Sequence, residues 1–188
     1  MPPRRSPAPK STHRPAAARR PGPRVAVVMG SDRDRAIVAP TIEVLKEFGV
    51  AHEWRVLSAH RSPDAAGAFA REAQGRGLAV VIAAAGGAAH LAGVIAASTI
   101  LPVIGLPVRT EALNGLDSLL STVQMPPGVP VATVGIDGAR NAALLAIAIL
   151  ALQDPALAER LVDFRRRQSE RVAAADAHLQ EGEGDGQG

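Results

Sequence analysis

The feature that most constrains the fold is a regular alternation, from Arg24 onward, of short runs rich in Val, Ile and Ala with longer segments of helical periodicity. Continuous apolar runs are typical of strands that are buried on both faces, and the segments between them are long enough to be crossover helices. The alternation predicts an α/β protein with three layers, in which helices cover both faces of a doubly wound parallel sheet of about five strands.

The predicted strands span residues 24–29, 51–57, 78–85, 101–108 and 129–136. The predicted helices span residues 39–49, 63–77, 90–98, 115–122, 138–152 and 155–178. The helix at 138–152 is apolar on nearly every side, which is more than burial against one sheet requires, so we expect it also to face another subunit. The last helix is polar enough to lie on the surface or to contact a neighbouring subunit.

One folded domain, residues 24–178, is expected between two tails, and a chain of 188 residues is long enough to bury a substantial core. Residues 1–23 hold seven prolines, are rich in Arg and Ala, and contain almost no large apolar residues, so this basic tail is predicted to be disordered. Residues 179–188 are predicted to form a flexible acidic tail rich in glycine.

Charge and composition exclude several classes of protein. The net charge of +3 comes from the first 24 positions, which hold seven basic residues and no acid, while the rest of the chain is mildly acidic. We therefore expect no nucleic-acid partner for the folded body. The chain has no cysteine, which excludes disulfides, thiolate zinc sites and a cysteine nucleophile. No apolar signal segment and no run of about 18 apolar residues is present, so a cytoplasmic protein without membrane contact is expected.

Most polar residues of the body that do not look like ordinary surface follow the predicted strands. In an open parallel sheet, ligands bind at the carboxyl ends of the strands, because the loops there line a crevice. The five loops at these ends are residues 30–34, 58–64, 85–90, 109–117 and 137–141. Their convergence predicts a binding site at this edge of the sheet.

Two of these loops carry groups that suit a phosphorylated ligand and proton transfer. In "GSD", Ser31 and the start of a helix favour an anion, although Ser31 or Asp32 could equally be an N-cap that bonds free amides. In "SAHR", His60 can donate or accept a proton near neutral pH, and Arg61 can hold a phosphate or carboxylate. His60 could also be an ordinary histidine in a solvent-facing turn.

The third loop, "AGGAAH", combines two glycines at a strand end with His90 at the start of a helix. Gly86 and Gly87 allow the backbone to approach a small or planar ligand closely. His90 could be catalytic, or it could be a structural residue that only makes a hydrogen bond. No metal site is expected, because zinc needs three or four ligands and the spacing of the histidines and carboxylates supplies none.

Several longer motifs in combination resemble one enzyme family over residues 24–165. They are "VMGSD", "VLSAHRSPD", "AAAGGAAHLAG", "LPVIGLPV", "LNGLDSLLSTVQMPPGVPVATVGI" and "NAALLAIAIL". The chain resembles the N5-carboxyaminoimidazole ribonucleotide mutases of purine (IMP) biosynthesis, the catalytic subunit of phosphoribosylaminoimidazole carboxylase.

The resemblance implies a homo-octamer of flavodoxin-like subunits that binds a small-molecule ribonucleotide. The implied reaction is an isomerisation, which moves a carboxylate from the exocyclic nitrogen to carbon C4 of the aminoimidazole without metal, ATP or another cofactor. It also implies a functional link to the ATP-dependent carboxyaminoimidazole ribonucleotide synthetase.

Residue by residue, His60 matches the family's general acid and base. Residues that match substrate-binding positions are Ser31 and Arg61 near the phosphate, Asp34 near the ribose, and Gly86, Gly87 and His90 in the loop over the base. Ser58 is a further candidate, which could contact the substrate or only orient His60.

The sequence departs from the family pattern at Arg33, Arg35, Ala84, Ala92 and Arg109. These changes bear on substrate affinity more than on the type of reaction. Two other functions stay open at this point. One is a related carboxylase that uses free carbon dioxide and aminoimidazole ribonucleotide directly, and the other is a non-enzymatic flavodoxin-like module that senses a nucleotide.

Overall fold

The computed structural model describes the backbone of residues 24–184 and the side chains of residues 24–180. The predicted disordered tail at 1–23 and the last four residues of the predicted acidic tail lie outside the described residues.

Five parallel strands form one sheet, as the sequence predicts. They are β1 (Val25–Met29), β2 (His52–Val56), β3 (Val80–Gly86), β4 (Val103–Val108) and β5 (Ala132–Thr133). The strand order is β2-β1-β3-β4-β5, and every neighbouring pair is parallel. The first strand therefore lies inside the sheet, next to the edge strand β2, and the direction of winding reverses between β1 and β3.

Six α-helices flank this sheet in the described residues. They are α1 (Arg35–Glu47), α2 (Pro63–Glu72), α3 (Leu91–Ala96), α4 (Leu116–Val123), α5 (Ala139–Ala151) and α6 (Pro155–Gly184). Side chains alternate across each strand, so Val25 and Val27 of β1 pack in the cluster that contains α1 and α5. Ala26 and Val28 pack in the second cluster, with α2 and α3. The predicted three-layer arrangement is confirmed.

Small residues allow close packing in this core, which contains few aromatic rings. Gly105 of β4 faces α4, where an added Cβ atom would overlap Thr122 Cγ2 and lie 2.9 Å from Val131 Cγ1. Helix α4 therefore lies directly against the backbone of β4, and this contact fixes the height of α4 above the sheet.

Several elements differ from the sequence prediction. Helix α2 ends at Glu72 rather than at residue 77. Helix α1 begins at Arg35 rather than at residue 39 and continues through Pro40, whose missing amide removes only one hydrogen bond. Strand β5 has two residues rather than eight, because it pairs with β4 only at Ala132 and Thr133, and Pro130 in the predicted run has no amide to donate. Helix α6 extends past residue 178 to Gly184, since helix formers such as Leu179 and Gln180 let it propagate.

The apolar character of α5 has an explanation within one subunit. Helix α5 packs on β3 and β4 and is flanked by α1 and α6, so three sides of it are covered. Its composition therefore does not require the contact with another subunit that the sequence suggested.

Candidate active site

A cavity of about 760 Å³ opens at the carboxyl edge of the sheet, where the winding reverses between β1 and β3. Its walls come from the loops that follow the first four strands. The lining residues are Gly30, Ser31, Asp32, Arg33, Asp34, Ser58, Ala59, His60, Arg61, Ala85, Gly86, Ala88, Leu91, Val108, Arg109, Thr110 and Glu111. Four of the five predicted loops therefore converge on one cavity, while the fifth, residues 137–141, does not line it.

The loop after β1 turns directly into a short 3-10 helix, Asp32–Asp34, and then into α1. Ser31 is the N-cap of this turn, and its Oγ accepts a hydrogen bond from the Arg33 amide at 3.3 Å. Partial burial raises the pKa of the Asp34 carboxyl above its ordinary value. A hydrogen bond with the Ser31 backbone and the charge of Arg61 act in the opposite direction on this pKa, while Asp32 raises it further.

The loop after β2 holds Arg61 in a fixed orientation. The Ser58 Oγ accepts hydrogen bonds from the Arg61 amide at 3.1 Å and from Arg61 Nε at 3.3 Å. Arg61 Nη2 donates to the Gly30 carbonyl at 2.8 Å, which ties this loop to the end of β1. The guanidinium keeps further N–H groups for an anion in the cavity.

The contacts of Ser58 bear on one of the two roles that the sequence left open, the orientation of His60. Its hydroxyl orients Arg61, and its backbone amide donates to Ser62 Oγ at 3.0 Å. Ser58 also lines the cavity. The hydrogen bonds of its side chain go to Arg61 rather than to His60.

The two histidines predicted from separate loops contact each other. His60 Nε2 lies 2.8 Å from His90 Nδ1, and the rings meet edge to face with their centroids 4.9 Å apart. One nitrogen of this contact donates a proton and the other accepts it, so both nitrogens cannot carry a proton while the contact persists. The two rings can therefore share one proton across this contact.

The glycine loop after β3 is attached to helix α4. Gly87 has a φ angle of +69°, in the left-handed region that favours glycine. Its amide donates to Ser118 Oγ at 2.9 Å, and Ser118 Oγ donates to the Val108 carbonyl at 2.6 Å. Ser121 Oγ lies 3.3 Å from the Gly87 carbonyl and 2.7 Å from the Asp117 carbonyl.

The loop after β4 forms a wall of the cavity that no sequence-based candidate covered. Arg109, Thr110 and Glu111 line the cavity. The Arg109 amide donates to Asp137 Oδ1 at 2.9 Å, and Thr110 Oγ1 donates to the Asp117 carboxylate, 2.7 and 2.8 Å from its two oxygens. The sequence signals for these residues were their position at the end of a strand and, for Arg109, its departure from the family pattern.

Most of the predicted site residues lie together. Those that line the cavity are Ser31, Asp34, Ser58, His60, Arg61 and Gly86. Gly87 and His90 do not line it, and His90 instead joins the site through its contact with His60.

Of the five departures from the family pattern, Arg35 begins α1, lies over the Trp54 ring and does not line the cavity. The other four divide into two groups. Arg33 and Arg109 line the cavity, so both can affect ligand binding. Ala84 and Ala92 are buried in the core, with 0% and 2% of their surface exposed, and neither lines the cavity. Ala84 contacts the cavity wall through its backbone, because its carbonyl accepts a hydrogen bond from the Gly30 amide at 3.0 Å.

Two further properties concern residues 24–184, the part of the chain that the structure describes. His, Asp and Glu side chains there form no group of three or more that could hold a metal ion. None of the helices there is both long and apolar enough to cross a lipid bilayer.

Comparison with known proteins agrees with this geometry. The family model for AIR carboxylase matches residues 24–171. The N5-carboxyaminoimidazole ribonucleotide mutase of Pyrococcus abyssi is 57% identical over 143 residues, which are 76% of this chain and 82% of that protein. The mutase of Mycobacterium tuberculosis is 57% identical over 158 residues, with coverage of 84% and 91%.

The fold comparison leads to the same group of proteins. The crystal structure of Treponema denticola PurE superposes with a TM-score of 0.76 at 26% identity, covering 82% of this chain and 97% of that one. The chain belongs to the AIR carboxylase family.

Proposed function

We propose that the protein converts N5-carboxyaminoimidazole ribonucleotide to 4-carboxy-5-aminoimidazole ribonucleotide in purine biosynthesis, as an isomerase. The observation that carries the proposal is the contact between His60 and His90 beside a cavity that also contains Arg61. The two histidines can carry a proton, and Arg61 can bind an anion. A phosphorylated substrate that must gain and lose a proton requires both. Relatives that are named for this activity and are 57% identical support it.

The substrate phosphate is proposed to bind between Ser31 and Arg61. A fixed guanidinium offers paired N–H donors to phosphate oxygens, and the Ser31 hydroxyl is close to the start of a helix, where an anion is favoured. Asp34, on the same wall, is placed to accept a hydrogen bond from the ribose. The aminoimidazole then lies toward Gly86 and the two histidines.

The reaction moves one carboxyl group and returns the enzyme to its starting state. His60 donates a proton to the exocyclic nitrogen, the bond from this nitrogen to the carboxyl carbon breaks, and carbon dioxide is released into the cavity. C4 attacks the carbon dioxide to form the new carbon–carbon bond. His60 then removes the proton from C4, which restores the aromatic ring. No electrons are exchanged with an outside group, so the steps need no redox cofactor.

His90 is proposed to assist this cycle from the second position of the pair. His60 Nε2 faces His90 Nδ1, so the proton for the substrate leaves from His60 Nδ1. When the pair carries one extra proton, His90 Nδ1 donates to His60 Nε2. As His60 Nδ1 gives its proton to the substrate, the shared proton moves from His90 Nδ1 to His60 Nε2 and the direction of the hydrogen bond reverses, and the return of the C4 proton to His60 Nδ1 restores the starting state. The contact of 2.8 Å requires no movement of either ring for this exchange.

A second candidate is direct carboxylation of aminoimidazole ribonucleotide by free carbon dioxide, which the description of the matching family as AIR carboxylase favours. The two candidates share an intermediate state, with carbon dioxide and the aminoimidazole in one cavity. They differ in whether the N5-carboxylated compound is used as the substrate.

Supplying each substrate separately to the purified protein, without ATP, tests the proposal. We expect rapid turnover of the N5-carboxylated ribonucleotide, measured by the absorbance of the C4-carboxylated product. Rapid turnover only from aminoimidazole ribonucleotide with bicarbonate would assign the second activity instead. Binding of either compound without any product would indicate a sensing module.

We further propose that the protein acts as a homo-octamer in the cytoplasm, beside the ATP-dependent synthetase that supplies its substrate. An apolar face on α4 supports assembly, because Leu116, Leu120 and Val123 are each 44–49% exposed and recur at helical spacing. Leu113, just before the helix, extends this face and is 58% exposed.

A further inference from the structure

Ser118 is the most completely buried polar side chain near the cavity that the proposed mechanism does not use. Its exposed surface is 0%, and its hydroxyl uses both a donor and an acceptor position. It accepts from the Gly87 amide and donates to the Val108 carbonyl. A buried hydroxyl that is bonded in this way is costly to replace, because two backbone groups depend on it.

The position of Ser118 explains why two backbone groups need it. Gly86 and Val108 are the last paired residues of β3 and β4. Beyond this pair the strands separate, and the Ser118 hydroxyl stands between the Gly87 amide and the Val108 carbonyl. The side chain from α4 therefore continues the hydrogen bonding between the two strands by one step, at the point where the chain enters the cavity wall.

The segment from Gly87 to His90 is short and internally bonded. The Ala89 amide donates to the Gly87 carbonyl at 2.8 Å, and the His90 amide donates to the Ala88 carbonyl at 2.8 Å. Fixing the peptide group of Gly87 therefore also fixes the backbone of His90. Since His90 contacts His60 at 2.8 Å, a small displacement of Gly87 would separate the two rings.

We propose that Ser118 is a positioning residue, which holds the loop at Gly87 so that the His60–His90 contact keeps its geometry for proton transfer. Ser121 contributes less, because its single hydroxyl proton is shared between the Asp117 carbonyl at 2.7 Å and the Gly87 carbonyl at 3.3 Å. The proposal rests on the proposed function for its effect on rate, while the attachment of Gly87 to Ser118 can be tested without any activity.

Ser118→Ala is the main test, with kcat and KM measured on the N5-carboxylated ribonucleotide. We expect kcat to fall by about tenfold or more, since displacement of groups that transfer protons costs rate steeply. KM should change less than about threefold, because Ser31 and Arg61 belong to the other two loops. An unchanged kcat in folded Ser118→Ala would overturn the proposal. An equal loss of kcat in Ser118→Ala and in the control variant Thr122→Val would also overturn it.

Thr122→Val is the matched control. Thr122 is one turn further along α4, is 2% exposed, and its hydroxyl donates only to the Ser118 carbonyl within the same helix. Replacing it with valine removes a buried hydroxyl from the same helix without releasing the glycine loop. We expect this variant to keep the wild-type kcat, so that a general loss of packing in α4 is separated from the loss of the attachment at Gly87.

Hydrogen exchange of the Gly87 amide, measured by NMR, gives a readout that needs neither substrate nor activity. In the wild type this amide should exchange as slowly as the amides of β3, and in Ser118→Ala it should exchange at least tenfold faster. If the wild type lacks activity on the N5-carboxylated substrate but Gly87 is protected, the proposed function fails and the attachment stands. Fast exchange in the wild type would overturn the attachment itself.

Ser121→Ala keeps the proposal testable if Ser118→Ala does not fold. This side chain is only partly buried, so its removal should leave the fold intact. We expect a two- to fivefold lower kcat with little change in KM. No change in kcat, together with fast exchange of Gly87 in the wild type, would contradict the role of α4 in positioning the loop.

Discussion

Arg61 is oriented before any ligand binds, because Ser58 and the Gly30 carbonyl occupy two of its N–H groups. A side chain that is already ordered loses little entropy when it binds an anion, and a planar guanidinium can form two parallel hydrogen bonds to a phosphate. The arginine therefore provides geometry as well as charge at this position.

Replacing Arg61 with lysine keeps the charge and removes this geometry. For Arg61→Lys we expect KM to rise about tenfold or more, the equivalent of roughly 1.4 kcal/mol, because a forked donor becomes a point charge. Steady-state kinetics at fixed ionic strength measure the effect, and Arg167→Lys on exposed α6 is the control. An unchanged KM in Arg61→Lys would show that the phosphate binds elsewhere.

The charge of Asp34 should lower the stability of the folded protein, while the Asp34 side chain should favour substrate binding. Burial raises the pKa of the Asp34 carboxyl in the folded protein. The Asp34 carboxyl therefore loses its proton at a lower pH in the unfolded chain than in the folded protein. Between the pKa of Asp34 in the unfolded chain and its higher pKa in the folded protein, the folded state binds more protons. The stability of the wild type therefore falls as the pH rises through this range. The uncharged Asp34→Asn should therefore have a higher Tm than the wild type at pH 7, and this difference should shrink toward pH 4.

Thermal unfolding at several pH values measures this Tm difference, and the same variant should show a raised KM because the ribose contact is weakened. A variant that is less stable than the wild type at pH 7 would contradict the assigned cause of the shift in the pKa of Asp34.

At the scale of elements, the contact between β4 and α4 links the core to the site. Gly105 lets α4 approach the sheet, and α4 in turn carries Ser118 and Ser121 to the glycine loop. A change in the separation of these two elements should therefore affect both stability and the cavity wall.

Gly105→Ala tests this packing. The added methyl group overlaps Thr122 and Val131, and overpacking of this kind costs about 1–3 kcal/mol of unfolding free energy. Chemical denaturation measures the loss. Gly135→Ala is the matched control, because an added Cβ there meets no atom within 4 Å and should leave stability within about 0.5 kcal/mol. Equal stability of the two variants would contradict the close approach of α4.

The strands and helices were largely predictable because each has a clear apolar period and a clear end. The exceptions have physical causes. Strand β5 is shorter than its apolar run because it pairs with β4 at only two residues and Pro130 has no amide to donate, and the start of α1 was obscured by Pro40 inside the helix. Pairing and packing decided these bounds, and neither is encoded in the local pattern.

The sequence was sufficient to predict which strand-end loops form the site. It was not sufficient to predict the hydrogen bonds that hold these loops in place. The hydroxyl of Ser118 has the same local sequence pattern as any serine that bonds its own helix. Only the packing of α4 against β4 brings it to Gly87. In the same way, His60 and His90 are 30 residues apart in the chain and meet only because β2 and β3 both flank β1 in the sheet.

At the scale of the whole molecule, α4 presents an apolar face that the described residues leave uncovered. If subunits assemble through Leu113, Leu116, Leu120 and Val123, a charge in this face should separate them, because an unpaired buried arginine is strongly unfavourable. For Leu120→Arg we expect a smaller species in light scattering coupled to size-exclusion chromatography. Leu152→Arg, in which an 84% exposed leucine outside this face is changed, should assemble like the wild type.

The proposed function of the whole molecule depends on His60, which is proposed to give a proton to the substrate and to remove one from it. The most direct measurement is turnover of the N5-carboxylated ribonucleotide by His60→Asn, normalised to protein that has the fold and assembly of the wild type. Asparagine is similar in size and can make hydrogen bonds, but it cannot exchange a proton near neutral pH. We predict that kcat falls at least a thousandfold while the assembly and the binding of substrate persist. Turnover within tenfold of the wild type would contradict the mechanism.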